Sequence, residues 1–203
     1  MQATISESKA GFKQDLRALS RLLWTGAIEQ GEYINRMYGS IDRYLSEAFY
    51  AGAKTVGVKP ADMTFEEHTE LLRMLTQQHQ YIPTLSQAIW DNRKGVGKLT
   101  PLLRRLDMWV NAYSKFKNEA AALVGKNLKL MWKLHGLRKT EKSCGDCLRL
   151  DGRIYRASVW KKWDVRPQHP ALACSGILCG CAFFPAPAGT RVTPGRPPKL
   201  SGQ

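Results

Sequence analysis

Residues 144–181 read CGDCLRLDGRIYRASVWKKWDVRPQHPALACSGILCGC, and this stretch decides the fold. It holds all five cysteines of a 203-residue chain. Cys144, Cys147, Cys174, Cys179 and Cys181 are spaced C-x2-C, then 26 residues, then C-x4-C-x-C. Cysteines dispersed through an apolar core do not gather in this way. Two short groups of thiolates brought together make a soft tetrahedral metal site, and zinc best matches sulfur ligands at this ribbon- or knuckle-like spacing. Four ligands close such a site, so the zinc is expected to be structural. A catalytic zinc keeps an open position and usually recruits histidine or carboxylate, and here only His169 stands nearby. The other readings are one or two disulfides, or reduced thiols of an ordinary core. The opening MQATISESKAGFKQDL has no apolar h-region, and no apolar run approaches the ~20 residues of a membrane span. A reducing cytoplasm is therefore expected, where disulfides are disfavoured.

Within this stretch, Asp151-Gly152 reads as a tight turn joining short strands Leu148–Leu150 and Arg153–Tyr155. Ile177-Leu178 and Ala182-Phe183-Phe184 read as a second strand pair. A module this small buries too little apolar surface to fold alone, so the metal is expected to supply much of its stability. From Pro185 onward the chain is rich in proline and glycine and carries Arg191, Arg196 and Lys199. That composition predicts a flexible, disordered basic tail.

Upstream, the period is helical. Phe12, Leu16, Leu19, Leu22 and Leu23 share one face, with a break at Trp24-Thr25-Gly26. Ile34, Met37, Ile41, Tyr44, Leu45 and Ala48 predict a second helix to about Tyr50, ended by Gly52, Gly57 and Pro60. Thr64-Phe65-Glu66-Glu67 is a capping-box signature opening a helix with Leu71, Leu72 and Leu75. Its period continues through Ile82, Leu85 and Ile89, and Pro83 should kink or divide it. Asn92 to Gly97 reads as a loop. The longest period runs from Leu106 through Trp109, Val110, Tyr113, Phe116, Ala120, Leu123, Val124 and Leu128 to Met131. At ~1.5 Å per residue it predicts a helix roughly 40 Å long. Its other face carries Lys115, Lys117, Lys126, Lys129 and Lys133. The expectation is a mainly α protein: a helical domain over 1–140, a zinc-stapled α+β module over 141–184, and a disordered tail over 185–203.

The net charge of +14 is uneven. Residues 1–92 are net −2, residues 93–140 net +10 and residues 141–203 net +6. A cationic second half suggests a polyanionic partner, usually nucleic acid, although a solvated basic face is the plainer reading. Lys126, Lys129, Lys133, Arg138 and Lys139 are the candidate phosphate contacts, because lysines along one side of a rod can track a backbone.

Catalytic patterns do not assemble. His68-Thr69-Glu70 spells the H-x-E of zinc deaminases, but Ser143 stands where that signature has proline before the first cysteine. An HNH-type nuclease needs paired histidines, and His135 and His169 are isolated. Gly95-Val96-Gly97-Lys98 is too short for a phosphate-binding loop. The chain is expected to be non-enzymatic.

The run SCGDCLRLDGRIYRASVWKKW, followed by RPQHPALACSGILCGCAF, resembles the C-terminal part of the minor head, or head-morphogenesis, proteins of tailed bacteriophages, the Mu F-like group. The resemblance covers roughly residues 105–184 and rests on the ordered set Cys144, Asp146, Cys147, Gly152, Pro170, Cys179 and Cys181, after a long helix ending near Trp132. Family members commonly carry a histidine shortly before the final C-x-C; here Cys174 stands nearest that place. The assignment is therefore Cys144, Cys147 and Cys174, with one of Cys179 and Cys181. The resemblance implies a virion structural protein found in the host cytoplasm during assembly and then in the phage head. It would act with portal or major capsid protein and packaged double-stranded DNA, as a homo-oligomer in a ring or other symmetric position, with no membrane partner. The alternative is a zinc-binding, nucleic-acid-binding regulatory or processing factor; capsid decoration is a third reading.

Overall fold

Helical periodicity over the first half becomes five long helices: α1 (Ala3–Thr25), α2 (Gln30–Thr55), α3 (Phe65–His79), α4 (Ile82–Lys94) and α5 (Leu99–Val124). The remainder forms β1 (Lys129–Lys133), α6 (Gly145–Leu150), β2 (Ile154–Arg156), α7 (Ala157–Lys162) and β3 (Ala182–Pro185). This computed structural model describes residues 3–95, 97–134, 143–176 and 179–203. The fold is mainly helical with a small three-stranded sheet. No helix among the described residues is long and apolar enough to cross a membrane.

The chain divides into two compact units. One takes in the chain up to Glu47 together with Thr69–Tyr113; the other takes in Ala48–His68 and Ser114–Gln203. In the first unit Phe12, Leu16, Leu23, Met37, Ile41 and Leu45 are wholly buried, joined by Leu71, Leu85, Ile89 and Leu106. These are the positions that the three- and four-residue steps select. Gly26, in the left-handed region at φ 77°, closes the turn after α1, as the break at Trp24-Thr25-Gly26 predicts. Pro83 lies in the first turn of α4, where its missing N–H costs nothing, so it divides the period into two helices.

In the second unit the capping box forms as expected. The Glu67 amide donates to Thr64 Oγ1 at 3.3 Å, and the Thr64 amide donates to Glu67 Oε2 at 2.9 Å. Gly52 does not end α2, which continues to Thr55. Its role is close approach: a Cβ there would lie 2.0 Å from the Lys117 carbonyl oxygen of α5. Only glycine lets these two backbones meet.

Three expectations are corrected in this unit. The period from Leu106 to Met131 is not one helix. α5 stops at Val124, Lys126 adopts a left-handed φ of 44°, and residues 129–133 form β1. Leu130 and Trp132 are wholly buried between less buried neighbours, a two-residue alternation that marks a strand. Leu128 and Met131 match the helical steps by coincidence. Next, Leu148–Leu150 is not a strand but belongs to α6. A strand would turn Cys144 and Cys147 to opposite sides, whereas a helical turn brings residues three apart onto one side. The Asp151-Gly152 turn itself is present, with Gly152 at φ 75°, and β2 follows it.

The third correction concerns the tail. The composition of residues 185–203 predicts disorder, but they run over the module with defined partners. The Thr193 amide donates to the Ile154 carbonyl at 2.7 Å, Tyr155 Oη to the Arg196 carbonyl at 3.2 Å, and the Gly202 amide to the Ala171 carbonyl at 2.9 Å. Leu200 is buried. A proline-rich segment cannot build its own ladder, but it can be ordered when a neighbouring surface supplies its hydrogen bonds.

The sheet has the order β2-β1-β3, antiparallel throughout. Trp132 faces Phe183 across β1 and β3. Its ring meets Phe183 edge-on at 5.8 Å and lies 5.9 Å from Trp160, which meets Tyr155 edge-on at 4.8 Å. The Trp160 indole N–H donates to the Leu130 carbonyl at 3.0 Å, so this ring is satisfied at its polar edge as well as packed. Tyr155 and Trp160 are thus core residues. Ile177 and Leu178, expected in a strand, lie outside the described residues.

Candidate metal centre

Three segments deliver the cysteines. Cys144 immediately precedes α6 and Cys147 lies in it; Cys174 sits in a turn; Cys179 and Cys181 lead into β3. All five are free thiols. Their sulfurs converge as two triads, Cys144–Cys147–Cys174 and Cys147–Cys179–Cys181, with the sulfurs of each triad within 4.8 Å of one another. Cys147 belongs to both. Its sulfur is 3.8 Å from that of Cys179. Soft donors at this spacing can hold a metal ion. Both Cys179 and Cys181 reach Cys147.

Hydrogen-bond donors point at the sulfurs. The amides of Cys147 and Cys174 are directed at Cys144, that of Gly176 at Cys174, and those of Gln168 and Cys181 at Cys179. Amides aimed at sulfur favour the thiolate, which is the form that binds metal. Burial nevertheless pushes the Cys174 thiol up to about 11, with the Gly176 amide opposing it; in the turn that carries it, Ser175 and Gly176 are both left-handed, at φ 53° and 69°. A Cβ on Gly176 would lie 2.4 Å from the Gln168 carbonyl oxygen. The Cys147 thiol draws Cys181 toward thiolate, but its bond to Cys179 and burial prevail and push it up to about 12; the buried indole N–H of Trp132, which makes no full hydrogen bond, opposes them only in part. Thiols this close also share protons. Hydrogen bonds from Cys147 and Cys181 pull Cys179 far below the ordinary thiol range, while the same bond to Cys179 pushes Cys147 far above it.

Two buried polar assemblies hold the loops. Asp146, 1% exposed, is the first. Its carboxylate accepts from the Ala173 amide at 2.8 Å, the Ser201 amide at 3.1 Å, Ser201 Oγ at 2.9 Å and the Arg149 guanidinium at 2.5 Å. It therefore ties the first cysteine pair to the Cys174 turn and to the tail. Burial pushes its pKa up, but the Ser201 and Ala173 amides outweigh this and hold it below the usual carboxylate value. The second assembly is Asn118 with Gln168. The Gln168 amide donates to the carbonyls of Cys179 and Cys181 at 2.9 and 2.7 Å. The Asn118 amide donates to Gln168 Oε1 at 2.6 Å, and Asn118 Oδ1 accepts from the Phe183 amide at 2.8 Å. Gln168 holds a left-handed φ of 61°, strain that this network sustains.

His169 stays outside the triads. Its Nδ1 accepts from the Ala171 amide at 3.0 Å and its Nε2 lies 3.0 Å from Asp164 Oδ2, so both ring nitrogens are engaged. Asn118 and Gln168 carry no sequence signal, since only the third dimension brings them to the cysteines. Asp146 does carry one, as the middle of C-x-D-C.

The candidate phosphate contacts do not share a helix face. Lys126 is exposed in the turn after α5, with Nζ 3.8 Å from Glu67. Lys129 and Lys133 lie on β1. Lys129 Nζ donates to the Thr190 carbonyl at 2.8 Å, and exposed Lys133 lies 5.8 Å from the Phe184 ring. Lys129 is directly opposite Arg156 of β2. These cations are presented by a turn and a strand rather than by a rod. Lys117, on α5, is sunk far enough for burial to lower its pKa. Arg138 and Lys139 lie outside the described residues.

No family model, curated protein or solved structure matches this chain.

Proposed function

We propose that this protein is a non-enzymatic structural protein of a tailed-phage head, its C-terminal module stapled by zinc. It bridges portal or major capsid protein and packaged double-stranded DNA, as one copy in a ring or other symmetric assembly. It is made in the host cytoplasm and carried in the virion. The observation that carries this reading is the convergence of all five cysteine sulfurs around a C-x-D-C turn whose aspartate locks the surrounding loops. Zinc is the ion we assign to this all-thiolate donor set. The cationic second half supports a polyanionic partner, with Lys126, Lys129, Lys133 and Arg156 as contacts to phosphate.

Native mass spectrometry of the reduced protein, with and without chelator and then with purified portal or capsid protein, tests the proposal. Chelator-sensitive zinc and a symmetric assembly or portal complex are expected. A metal-free chain removes the zinc staple. Sequence-selective DNA binding that survives rising salt, with no portal or capsid complex, replaces the head-assembly role with that of a regulator.

A further inference from the structure

We infer that the cysteine set holds two metal ions rather than one, with Cys147 bridging them. The inference rests on the proposed metal staple and concerns its stoichiometry. Sulfurs placed tetrahedrally about 2.3 Å from a zinc ion are about 3.8 Å apart. A single closed site would gather four sulfurs at such a spacing. Among the described residues no four do so; the sulfurs form two sets of three that meet only at Cys147. One ion is held by Cys144, Cys174 and Cys147, the other by Cys179, Cys181 and Cys147.

Three further observations agree. Each triad has its own buried polar support: Asp146 fixes the Cys144–Cys147 turn against the Cys174 loop, while Gln168 and Asn118 fix the Cys179–Cys181 loop. Cys147 is common to both triads, its sulfur is 3.8 Å from that of Cys179 and it is 2% exposed, the setting of a sulfur whose lone pairs go to two ions. Charge balance also fits. Five thiols release their protons on binding, and five thiolates against two divalent ions leave one net negative charge in a segment that is otherwise net positive.

The reduced full-length protein should be titrated with zinc alone and its mass read under native conditions. Two ions per chain are expected. Cys144→Ser and Cys181→Ser should each retain one, and Cys147→Ser should weaken both. A plateau at one ion overturns the binuclear centre and leaves the zinc staple standing; no bound ion overturns both. Two ions that persist in Cys147→Ser and in both outer variants are surface-bound and also overturn it. Because a variant can fail by misfolding, the unaltered chain should also be loaded with cadmium and its metal NMR recorded. Two resonances coupled to each other through sulfur are expected, and uncoupled resonances or a single one would overturn the bridge.

Discussion

In the first unit α1, at 23 residues, and α4, at 13, bury phenylalanine, leucine and isoleucine on continuous stripes. The segment 143–203 has helices of six residues and strands of three and four. Its interior is an aromatic cluster beside thiols and buried carboxylate and amide groups. Apolar burial is non-directional and tolerates approximate geometry. Thiolate–metal and buried polar contacts are directional, and lose most of their value when one partner is missing. The two regions should therefore fail under different insults.

Metal removal should separate them most. A structural zinc contributes on the order of 10 kcal/mol to small metal-folded modules. Chelator, or Cys147→Ser, should expose residues 143–203 to protease while Thr69–Tyr113 stays resistant; limited proteolysis with fragment mapping reads this directly. Uniform digestion of the whole chain would break the contrast. Trp132→Ala should cost about 3–5 kcal/mol, because a wholly buried indole leaves a cavity among Trp160, Phe183 and its other neighbours. Urea unfolding would show a lowered midpoint with the slope unchanged.

Gly52→Ala should cost about 1–3 kcal/mol through overpacking against the Lys117 carbonyl, seen as a drop in melting temperature. A neutral result would mean that α2 and α5 can part there without penalty. At high pH the first unit should be the sensitive one. Tyr33 is wholly buried, and burial raises its pKa from 10.0 to about 12, only partly offset by its contact with Ser20. A raised folded-state pKa means stability that is complete below pH 10 and is lost as pH rises toward 12. Tyr33→Phe should flatten this alkaline slope at a cost near 1 kcal/mol at neutral pH. The smallest effect is expected from Thr64→Ala, about 1 kcal/mol from loss of the helix cap, measured by thermal melting.

The helices α1 to α4 are legible because each carries its own stripe, stop signal or cap within a few residues. The capping box at Thr64 and Glu67 and the division at Pro83 are local chemistry, and local chemistry can be read along a chain. The error after Val124 has a physical cause too. Apolar residues in LKLMWK satisfy both periods, and only the left-handed turn at Lys126 and the strands on either side of β1 select the strand. The tail misleads for a related reason. Its composition rules out self-made secondary structure but says nothing about hydrogen bonds that a neighbour offers, such as those from Asp146 and Ala171.

By itself the sequence determined that this chain is mainly helical, that its five thiols cluster in one short segment, and that positive charge accumulates in the second half. Those properties come from residue type and short spacing. Only the tertiary structure decided that the thiols divide into two triads sharing Cys147, that Asn118 and Gln168 brace one of them, and that the tail closes over Asp146. Such relations join residues 13 to 55 positions apart, and directional bonds across that distance exist only once the backbone has folded.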